Sequence, residues 1–131
     1  MHQYTKKIYY HDTDCGGVVY YANYMKFLEE ARTEFLAERG INLSELAAKG
    51  VWFVVKKVNI EYKSPARYSD LLNITTELTA MKNVSLEFLQ TIKCQDRLLV
   101  ETKTILVSVS AENGRFSAAV IPSEVRRGLV Q

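Results

Sequence analysis

The sequence predicts an α+β fold in which a curved antiparallel β-sheet wraps around one long central α-helix. Two hydrophobic periods carry this prediction. Apolar residues recur at helical spacing between Tyr24 and Leu36, whereas from Lys57 onward they alternate with polar residues, as in strands with one exposed face. Short turns join the later strands, so neighbouring strands run antiparallel. The amphipathic helix then supplies the cover that the apolar face of such a sheet requires.

The first part of the chain is predicted to contain a strand, a loop and two helices. The strand covers residues 4–10 and the loop covers residues 11–21. Asn23 suits the N-cap of the long helix, and Gly40 suits the C′ position after its end. A second, short helix is predicted over residues 43–49.

Five strands are predicted to follow, with turn-forming residues between them. The strands cover residues 57–63, 72–79, 86–93, 98–110 and 115–121. The turns are predicted at Ser64-Pro65, Lys82-Asn83, Gln95-Asp96 and Asn113-Gly114. The Asn-Gly pair is a strong hairpin signal. Pro122 then opens a short C-terminal helix, since proline is tolerated in a first helical turn.

The length and the composition indicate one globular domain over residues 1–131. The hydrophobic fraction of 47% and the charged fraction of 24% are those of a folded protein. The net charge is only +2, with acids and bases interspersed, which argues against a nucleic-acid partner. A chain of this size has little left to enclose a deep pocket, so we expect a ligand site to use a second copy of the chain.

Cysteine and histidine are too few for the common metal sites or for a disulfide framework. Cys15 and Cys94 form no CxxC pair, and His2 and His11 are the only histidines in the sequence. Free cysteines fit a reducing cytoplasm, where we expect the protein to reside. No stretch is long and apolar enough for a signal peptide or a membrane span, so no membrane insertion is expected.

The loop before the long helix concentrates acids and glycines in the stretch HDTDCGGVVYYANY, residues 11–24. Gly16 and Gly17 carry no side chain, so the backbone here can approach a ligand closely. The helix that follows points unpaired N–H groups back toward Asp14. A carboxylate that attacks or activates water, beside N–H groups that stabilise an oxyanion, suits attack on a carbonyl.

The same residues permit other interpretations. Asp14 also suits an Asx-turn or a helix-capping acid. Cys15 and His11 suggest a thiol–imidazole pair, although a glycine-rich loop defines no geometry for it and no third group orients it. Asp12 either assists Asp14 or bonds the loop backbone, and we favour the backbone role. Tyr21 lies where loop becomes helix, and we predict a contribution from its backbone N–H rather than from its side chain.

The segment YYHDTDCGGVVYYANYMKFLEEAR closely resembles the opening of hotdog-fold acyl-CoA thioesterases. Within them it is similar to the group of 4-hydroxybenzoyl-CoA thioesterase and the Tol–Pal-associated thioesterases. The shared pattern joins an aromatic pair, Asp-Thr-Asp, Gly-Val-Val, Ala-Asn-Tyr and Glu-x-Ala-Arg. A later stretch, FVVKKVNIEYKSPARYSD over residues 53–70, resembles the family's second strand and following turn. The resemblance implies a hotdog domain with the long helix at its centre.

The resemblance also implies catalytic roles at two positions. The family's catalytic carboxylate matches Asp14, and the helix-start amide that polarises the thioester carbonyl matches Tyr21. Many Tol–Pal-associated members carry histidine at the position of Tyr21, a departure that leaves the amide role intact. His11 is a second departure, because an acid is common at its position.

Coenzyme A is the carrier that the resemblance implies, and no metal or cofactor is expected. Family members bind its phosphates at the turn that matches Lys82-Asn83, close to a subunit boundary. A solvated hairpin lysine is the alternative for Lys82. Lys63 and Arg115 are further candidates for contacts with the coenzyme.

The expected assembly is a homodimer or homotetramer. The resemblance implies that one hotdog domain forms only half of a ligand site. Another copy of the chain would cover exposed sheet edge and loop surface. We expect each site to combine Asp14 and Tyr21 of one chain with the segment around Trp52-Phe53 of another.

The leading interpretation is a hydrolase that converts an acyl-CoA and water to a carboxylic acid and free coenzyme A. Asp14 acts either as nucleophile, through an acyl–enzyme anhydride, or as general base for water. A hotdog hydratase or dehydratase would need a histidine working with an acid, and His11 lies outside that family pattern. A non-catalytic acyl-CoA-binding or interaction module would gain nothing from an acid near the thioester. The sequence leaves the preferred acyl group open.

Overall fold

A six-stranded antiparallel sheet forms the framework of the structure, a computed structural model that describes residues 1–112 and 114–130. Its strands are β1 (His2–Lys7), β2 (Val51–Tyr62), β3 (Leu71–Met81), β4 (Ser85–Cys94), β5 (Arg97–Glu112) and β6 (Arg115–Ala118). They pair in the order β1-β3-β4-β5-β2, and β6 pairs with β5. Every pairing is antiparallel, as the short connections predict.

Three α-helices accompany the sheet in the described residues: α1 (Asn23–Glu38), α2 (Leu43–Ala48) and α3 (Ser123–Leu129). α1 forms because its apolar residues share one face, which packs against β1 and β3. The apolar residues on that face, each at most 3% exposed, are Tyr24, Phe27, Leu28, Ala31, Phe35 and Leu36. Gly40 follows the helix with a φ of 76°, which confirms the predicted C′ position.

The buried face of α1 contributes residues to two hydrophobic clusters. The second half of the helix packs with α2, α3, the first half of β4 and the middle of β5. The first half packs with β1, β3, the end of β4 and the start of β5, and with three residues outside the helices and strands, Ile8, Val19 and Ala66. Val19 follows Asp14 in the loop and is 5% exposed, so the core itself anchors the loop that precedes α1.

A buried polar network links α1 to the middle of the sheet. Arg32 Nη1 donates to Gln90 Oε1 at 3.1 Å, and Gln90 Nε2 donates to the Leu28 carbonyl and to Thr76 Oγ1, each at 3.0 Å. Burial lowers the pKa of Arg32, and the neighbouring Glu29 carboxylate opposes that shift. A guanidinium nevertheless keeps its proton, so the network holds a positive charge inside the protein.

The predicted elements before and at the start of α1 are wrong in two details. The strand expected over residues 4–10 ends at Lys7, because Tyr10–Asp12 turn into a short 3-10 helix. The N-cap of α1 is Ala22, not Asn23. Asn23 is instead the first helical residue, and its Nδ2 donates to the Asp12 carbonyl at 2.9 Å, so the side chain binds the loop rather than capping the helix.

Two later boundaries also differ. The strand predicted over 57–63 begins at Val51, because the apolar run VWFVV pairs with β5 although it does not alternate. The strand predicted over 115–121 ends at Ala118. The predicted Asn113-Gly114 hairpin includes Asn113, which lies outside the described residues.

The length of β2 separates two regions of the molecule. Its 12 residues span about 40 Å at roughly 3.3 Å per residue. We call the end at Tyr62 the proximal end and the end at Val51 the distal end. The proximal end adjoins the loop before α1, since Val18 bridges to Arg67 and the Val19 N–H donates to the Ala66 carbonyl at 2.8 Å.

The described residues include neither a membrane-spanning helix nor a metal-binding group of side chains. No helix within residues 1–112 and 114–130 is long and apolar enough to cross a membrane. In the same part of the chain, His, Cys, Asp and Glu side chains form no group of three or more that could hold a metal ion.

Candidate active site

The loop between β1 and α1 folds into a tight turn at Asp14. Thr13 and Val19 form an isolated β-bridge, and the Asp14 N–H donates to the Val18 carbonyl at 3.0 Å. The Gly17 N–H donates back to the Asp14 carbonyl at 3.1 Å. Gly17 has a φ of 79°, a left-handed value that residues with side chains adopt only with strain. Glycine at this position therefore shapes the turn that presents Asp14.

Asp14 carries an exposed carboxylate in this turn. Its Oδ1 accepts a hydrogen bond from the Gly16 N–H at 2.8 Å, which forms the Asx-turn that the sequence also permitted. A Cβ at residue 16 would lie 3.2 Å from that oxygen, so glycine lets the carboxylate approach the backbone. The described residues donate no other hydrogen bond to this carboxylate, which leaves Oδ2 open to a reactant.

Asp12 is buried and bonds the loop backbone, as we favoured from the sequence. Its Oδ2 accepts from the Tyr9 N–H at 2.9 Å, and His11 Nε2 lies 3.5 Å from its Oδ1. Its carbonyl accepts from the Tyr20 N–H at 3.2 Å and from Asn23 Nδ2 at 2.9 Å. These bonds tie the base of the loop to the first turn of α1. Asp14, two residues further on, lies within about 7 Å of that tie along an extended chain.

The start of α1 offers two unpaired amides. The Asn23 N–H donates to the Tyr20 carbonyl at 2.9 Å, which closes the first turn. In the described residues, the N–H groups of Tyr21 and Ala22 donate no hydrogen bond. Unpaired N–H groups at a helix start carry partial positive charge and attract an oxyanion or a polarised carbonyl. The amide that the sequence singled out at Tyr21 is therefore free to act.

A groove of about 290 Å³ adjoins these amides. Its lining residues are Val19, Tyr21, Tyr24, Tyr62, Lys63, Ser64 and Pro65. The Tyr24 side chain is only 3% exposed, as expected for a packing residue, and its hydroxyl accepts a hydrogen bond from the Ala66 N–H at 3.0 Å. Burial raises the pKa of Tyr24, although the bond from Ala66 opposes that shift. Tyr21, by contrast, is 62% exposed at the mouth of the groove.

Tyr62 is a groove residue that the sequence analysis missed. The alternation of β2 suggested only an inward-facing strand residue, yet Tyr62 is 46% exposed and its hydroxyl reaches the Tyr21 carbonyl at 3.4 Å. The available signal was an aromatic residue at the last position of a strand, directly before the turn at Ser64-Pro65.

Lys63 lies in the groove but is already paired. Its Nζ is 2.8 Å from Glu61 Oε2, and this hydrogen bond raises the pKa of Lys63 and lowers the pKa of Glu61. Both groups are exposed, so the pair is weak and salt-sensitive. Of the candidate coenzyme contacts, Lys63 is the one at the proximal end, where it lines the groove together with Tyr21.

The other candidate contacts lie at the distal end, namely Trp52, Phe53, Lys82, Asn83 and Arg115. Phe53 is opposite Ser108 in β5, and the Ser108 N–H donates to the Val84 carbonyl at 2.7 Å, which places the Lys82-Asn83 turn at the same level. Trp52 meets Phe116 of β6 with 5.4 Å between ring centroids. From Phe53 to Tyr62 the strand runs about 30 Å, so one chain does not bring both sets together.

The thiol–imidazole alternative has no support in the geometry. Cys15 is an exposed free thiol. His11 stacks on Tyr9 with 5.9 Å between ring centroids and sits beside Asp12. The described residues include no hydrogen bond between Cys15 and His11, so the imidazole is directed to the structural acid and not to the thiol.

Comparison with known proteins gives a consistent result. The family model described as "Thioesterase-like superfamily" matches residues 9–129. The acyl-CoA thioester hydrolase YbgC of Escherichia coli O6:H1 is 46% identical over 104 residues, which cover 79% of this chain and 78% of that protein. The acyl-CoA thioesterase YbgC of Haemophilus influenzae is 36% identical over 123 residues, covering 92% and 88%.

A solved structure extends the likeness to the fold. The structure of a gentisyl-coenzyme A thioesterase superposes with a TM-score of 0.87 at 29% identity, covering 95% of this chain and 99% of that one. The resemblance to hotdog thioesterases is thus confirmed, and the chain belongs to the thioesterase-like superfamily.

Proposed function

We propose that this protein hydrolyses acyl-CoA thioesters, with Asp14 as the catalytic carboxylate and the Tyr21 N–H polarising the thioester carbonyl. One observation carries the proposal. An exposed carboxylate follows a loop base that is tied to the start of α1, where two amides are unpaired. A nucleophile or base and an oxyanion site are the two parts that acyl transfer requires.

The class of reaction, thioester hydrolysis, follows from membership of the superfamily. The YbgC relatives act on acyl-CoA by name, and we extend that substrate class to this chain. We also propose that residues 1–131 form one domain whose sheet curves around α1 as the central helix. The cytoplasmic location rests on the two free cysteines, Cys15 and Cys94, and stays a prediction.

Asp14 serves in one of two ways. As nucleophile, its free Oδ2 attacks the carbonyl carbon, the coenzyme A thiolate leaves and takes a proton, and water then hydrolyses the resulting anhydride. As general base, Oδ2 takes a proton from water as the water oxygen attacks the same carbon, and the C–S bond then breaks so that the coenzyme A thiolate leaves and takes that proton. In both routes the carbonyl oxygen becomes an oxyanion that the Tyr21 N–H stabilises.

The distal residues serve a site on a second copy of the chain. Trp52 and Phe53 supply apolar surface for the partner's acyl or pantetheine group, and Lys82, Asn83 and Arg115 supply cationic and polar groups for the phosphates of coenzyme A. In a homodimer or homotetramer, a two-fold axis sets the distal end of one chain beside the proximal end of another. Gly17 and Lys63 contact the substrate from the proximal side.

The test is release of free thiol from acetyl-, hexanoyl-, palmitoyl- and benzoyl-CoA, read with a thiol-reactive dye. We expect hydrolysis of at least one substrate by the wild type and a loss of about 100-fold or more in Asp14→Asn. Asp96→Asn makes the same change on an exposed acid in the β4–β5 turn and should keep full activity.

Two outcomes would reject the proposal. Binding of acyl-CoA without thiol release would identify a non-catalytic module. Full activity in Asp14→Asn together with loss in His11→Gln would transfer the catalytic role to the histidine and favour hydratase-like chemistry.

A further inference from the structure

Tyr62 reaches from the proximal end of β2 to the start of α1. Its hydroxyl donates to the Tyr21 carbonyl, with 3.4 Å between the two oxygens. The Tyr24 N–H donates to the same carbonyl at 3.4 Å, so two long hydrogen bonds hold this oxygen. The Tyr62 ring lies 6.3 Å from the Tyr21 ring and 5.6 Å from the Tyr24 ring, measured between centroids. The contact between the strand and the helix start is therefore both polar and aromatic.

The bond from Tyr62 orients a peptide group whose N–H is free. The Tyr21 carbonyl and the Ala22 N–H belong to one planar peptide, and in a trans peptide they point in opposite directions. Holding the carbonyl toward β2 turns the Ala22 N–H away from β2. This N–H donates no hydrogen bond within the described residues.

The preceding peptide is held in the same manner. The Tyr20 carbonyl accepts from the Asn23 N–H at 2.9 Å, which fixes the direction of the Tyr21 N–H. Two consecutive amides are thus unpaired and fixed in direction by bonds to their carbonyls. Donors that are held in place before the reaction are what makes an oxyanion hole effective, because they need no reorganisation as charge develops.

We propose that the N–H groups of Tyr21 and Ala22 act together as the oxyanion hole, and that Tyr62 is a positioning residue that holds the second donor. The inference rests on the proposed function, since the oxyanion arises during attack on the acyl-CoA carbonyl. Tyr62 acts through the Tyr21–Ala22 peptide and contacts no reacting atom.

The Tyr62 hydroxyl remains a donor under working conditions. Burial raises the pKa of Tyr62 above its ordinary value, and the neighbouring Tyr21 acts in the same direction. A phenol that keeps its proton through neutral and mildly alkaline pH continues to donate to the carbonyl.

Tyr62→Phe tests this hydrogen bond because it removes the hydroxyl and keeps the ring. With the acyl-CoA that the wild type hydrolyses fastest, we expect kcat to fall about three- to tenfold and KM to change less than about twofold. Tyr68→Phe is the matched control, since Tyr68 is 57% exposed and its ring lies edge-on against Tyr10. Thermal midpoints of both variants should equal that of the wild type within the error of the measurement.

A spectroscopic readout separates positioning from a general structural role. The same substrate, labelled with carbon-13 at the carbonyl, is bound to Asp14→Asn with and without Tyr62→Phe. Amide donors lower the carbonyl stretching frequency, so we expect the frequency to rise when the Tyr62 hydroxyl is removed.

The outcomes distinguish the inference from the function on which it rests. An unchanged carbonyl frequency, a raised KM with retained kcat, or an equal loss in Tyr68→Phe overturns the inference and leaves the proposed function standing. Absence of hydrolysis by the wild type overturns both.

Discussion

The proximal and distal ends of β2 differ in which polar groups are already satisfied. At the proximal end the cation Lys63 is paired with Glu61, while the Asp14 carboxylate is exposed and two amides are unpaired. At the distal end the situation reverses. Lys82 and Arg115 have no ion-pair partner among the described residues, and the nearby aromatic rings of Trp52 and Phe116 pack on each other.

This difference assigns separate tasks to the two ends. Free amides beside a carboxylate suit a reaction at a carbonyl, whereas free cations suit an anionic carrier. Since about 30 Å of strand lies between them, we propose that neither end completes a site within one chain. Under the proposed function, activity therefore requires a second copy of the chain.

The proximal end is most sharply tested by removing the backbone N–H of residue 21. Tyr21→Pro deletes the amide hydrogen, and we expect a loss of about 100- to 1,000-fold in kcat, the scale of one oxyanion donor. Tyr21→Phe keeps the amide and should stay within about twofold of the wild type. Steady-state kinetics on the same substrate compares them, and equal losses in both variants would assign the role to the phenol.

The division between the ends is tested by mixing two inactive variants. Asp14→Asn lacks the proximal carboxylate, and the triple variant Trp52→Ala/Lys82→Ala/Arg115→Ala lacks the distal contacts. In a random mixture half the dimers are mixed and one of their two sites is intact, so activity should return to about a quarter of the wild type.

Subunit exchange is followed by light scattering, with each variant alone as control. No recovery despite complete exchange would mean that each site is built from one chain. A monomer that is fully active at nanomolar concentration would mean the same.

A substitution in the buried polar network at the middle of the sheet should lower the stability of the protein and change the activity little. Gln90→Leu leaves the Arg32 guanidinium without its partner, and we expect a loss of about 1–3 kcal/mol in the free energy of unfolding with activity per folded molecule within about twofold. Denaturant unfolding measures this, with Gln3→Leu on the exposed face of β1 as control. Arg32→Met/Gln90→Leu should regain part of the loss, and a double variant less stable than Gln90→Leu would contradict the account.

Periodicity predicted the elements well where one face of each is buried. The apolar series on α1 and the alternation of β3 and β4 are visible in the sequence because each side chain faces either core or solvent. The start of β2 was missed because Val51–Phe53 are all half-buried, so the run has no alternation to detect. Likewise, the N-cap at Asn23 was wrong because its side chain binds the Asp12 carbonyl, a contact that exists only once the loop has folded back.

In the candidate site, too, the residues close together in sequence were predicted and a contact between distant residues was not. Asp14, Gly17 and the Tyr21 amide lie within eight residues of one another, and turn chemistry with a helix start was enough to single them out. The bond between Tyr62 and the Tyr21 carbonyl joins residues 41 positions apart, and no local pattern encodes it.

The sequence by itself determined the order of helices and strands, the acid and glycines of the loop, and the resemblance that identified the superfamily. These depend on short-range rules, namely hydrophobic period, turn preference and motif spacing. The tertiary structure alone decided that Asp12 is buried and Asp14 exposed, although the two acids are two residues apart in the same loop. It also decided that Tyr62 meets the start of α1 and that the distal residues lie most of a strand's length from Tyr62. The physical reason is that burial and pairing across the sheet depend on which distant segments fold against each other, and a local pattern carries no information about that choice.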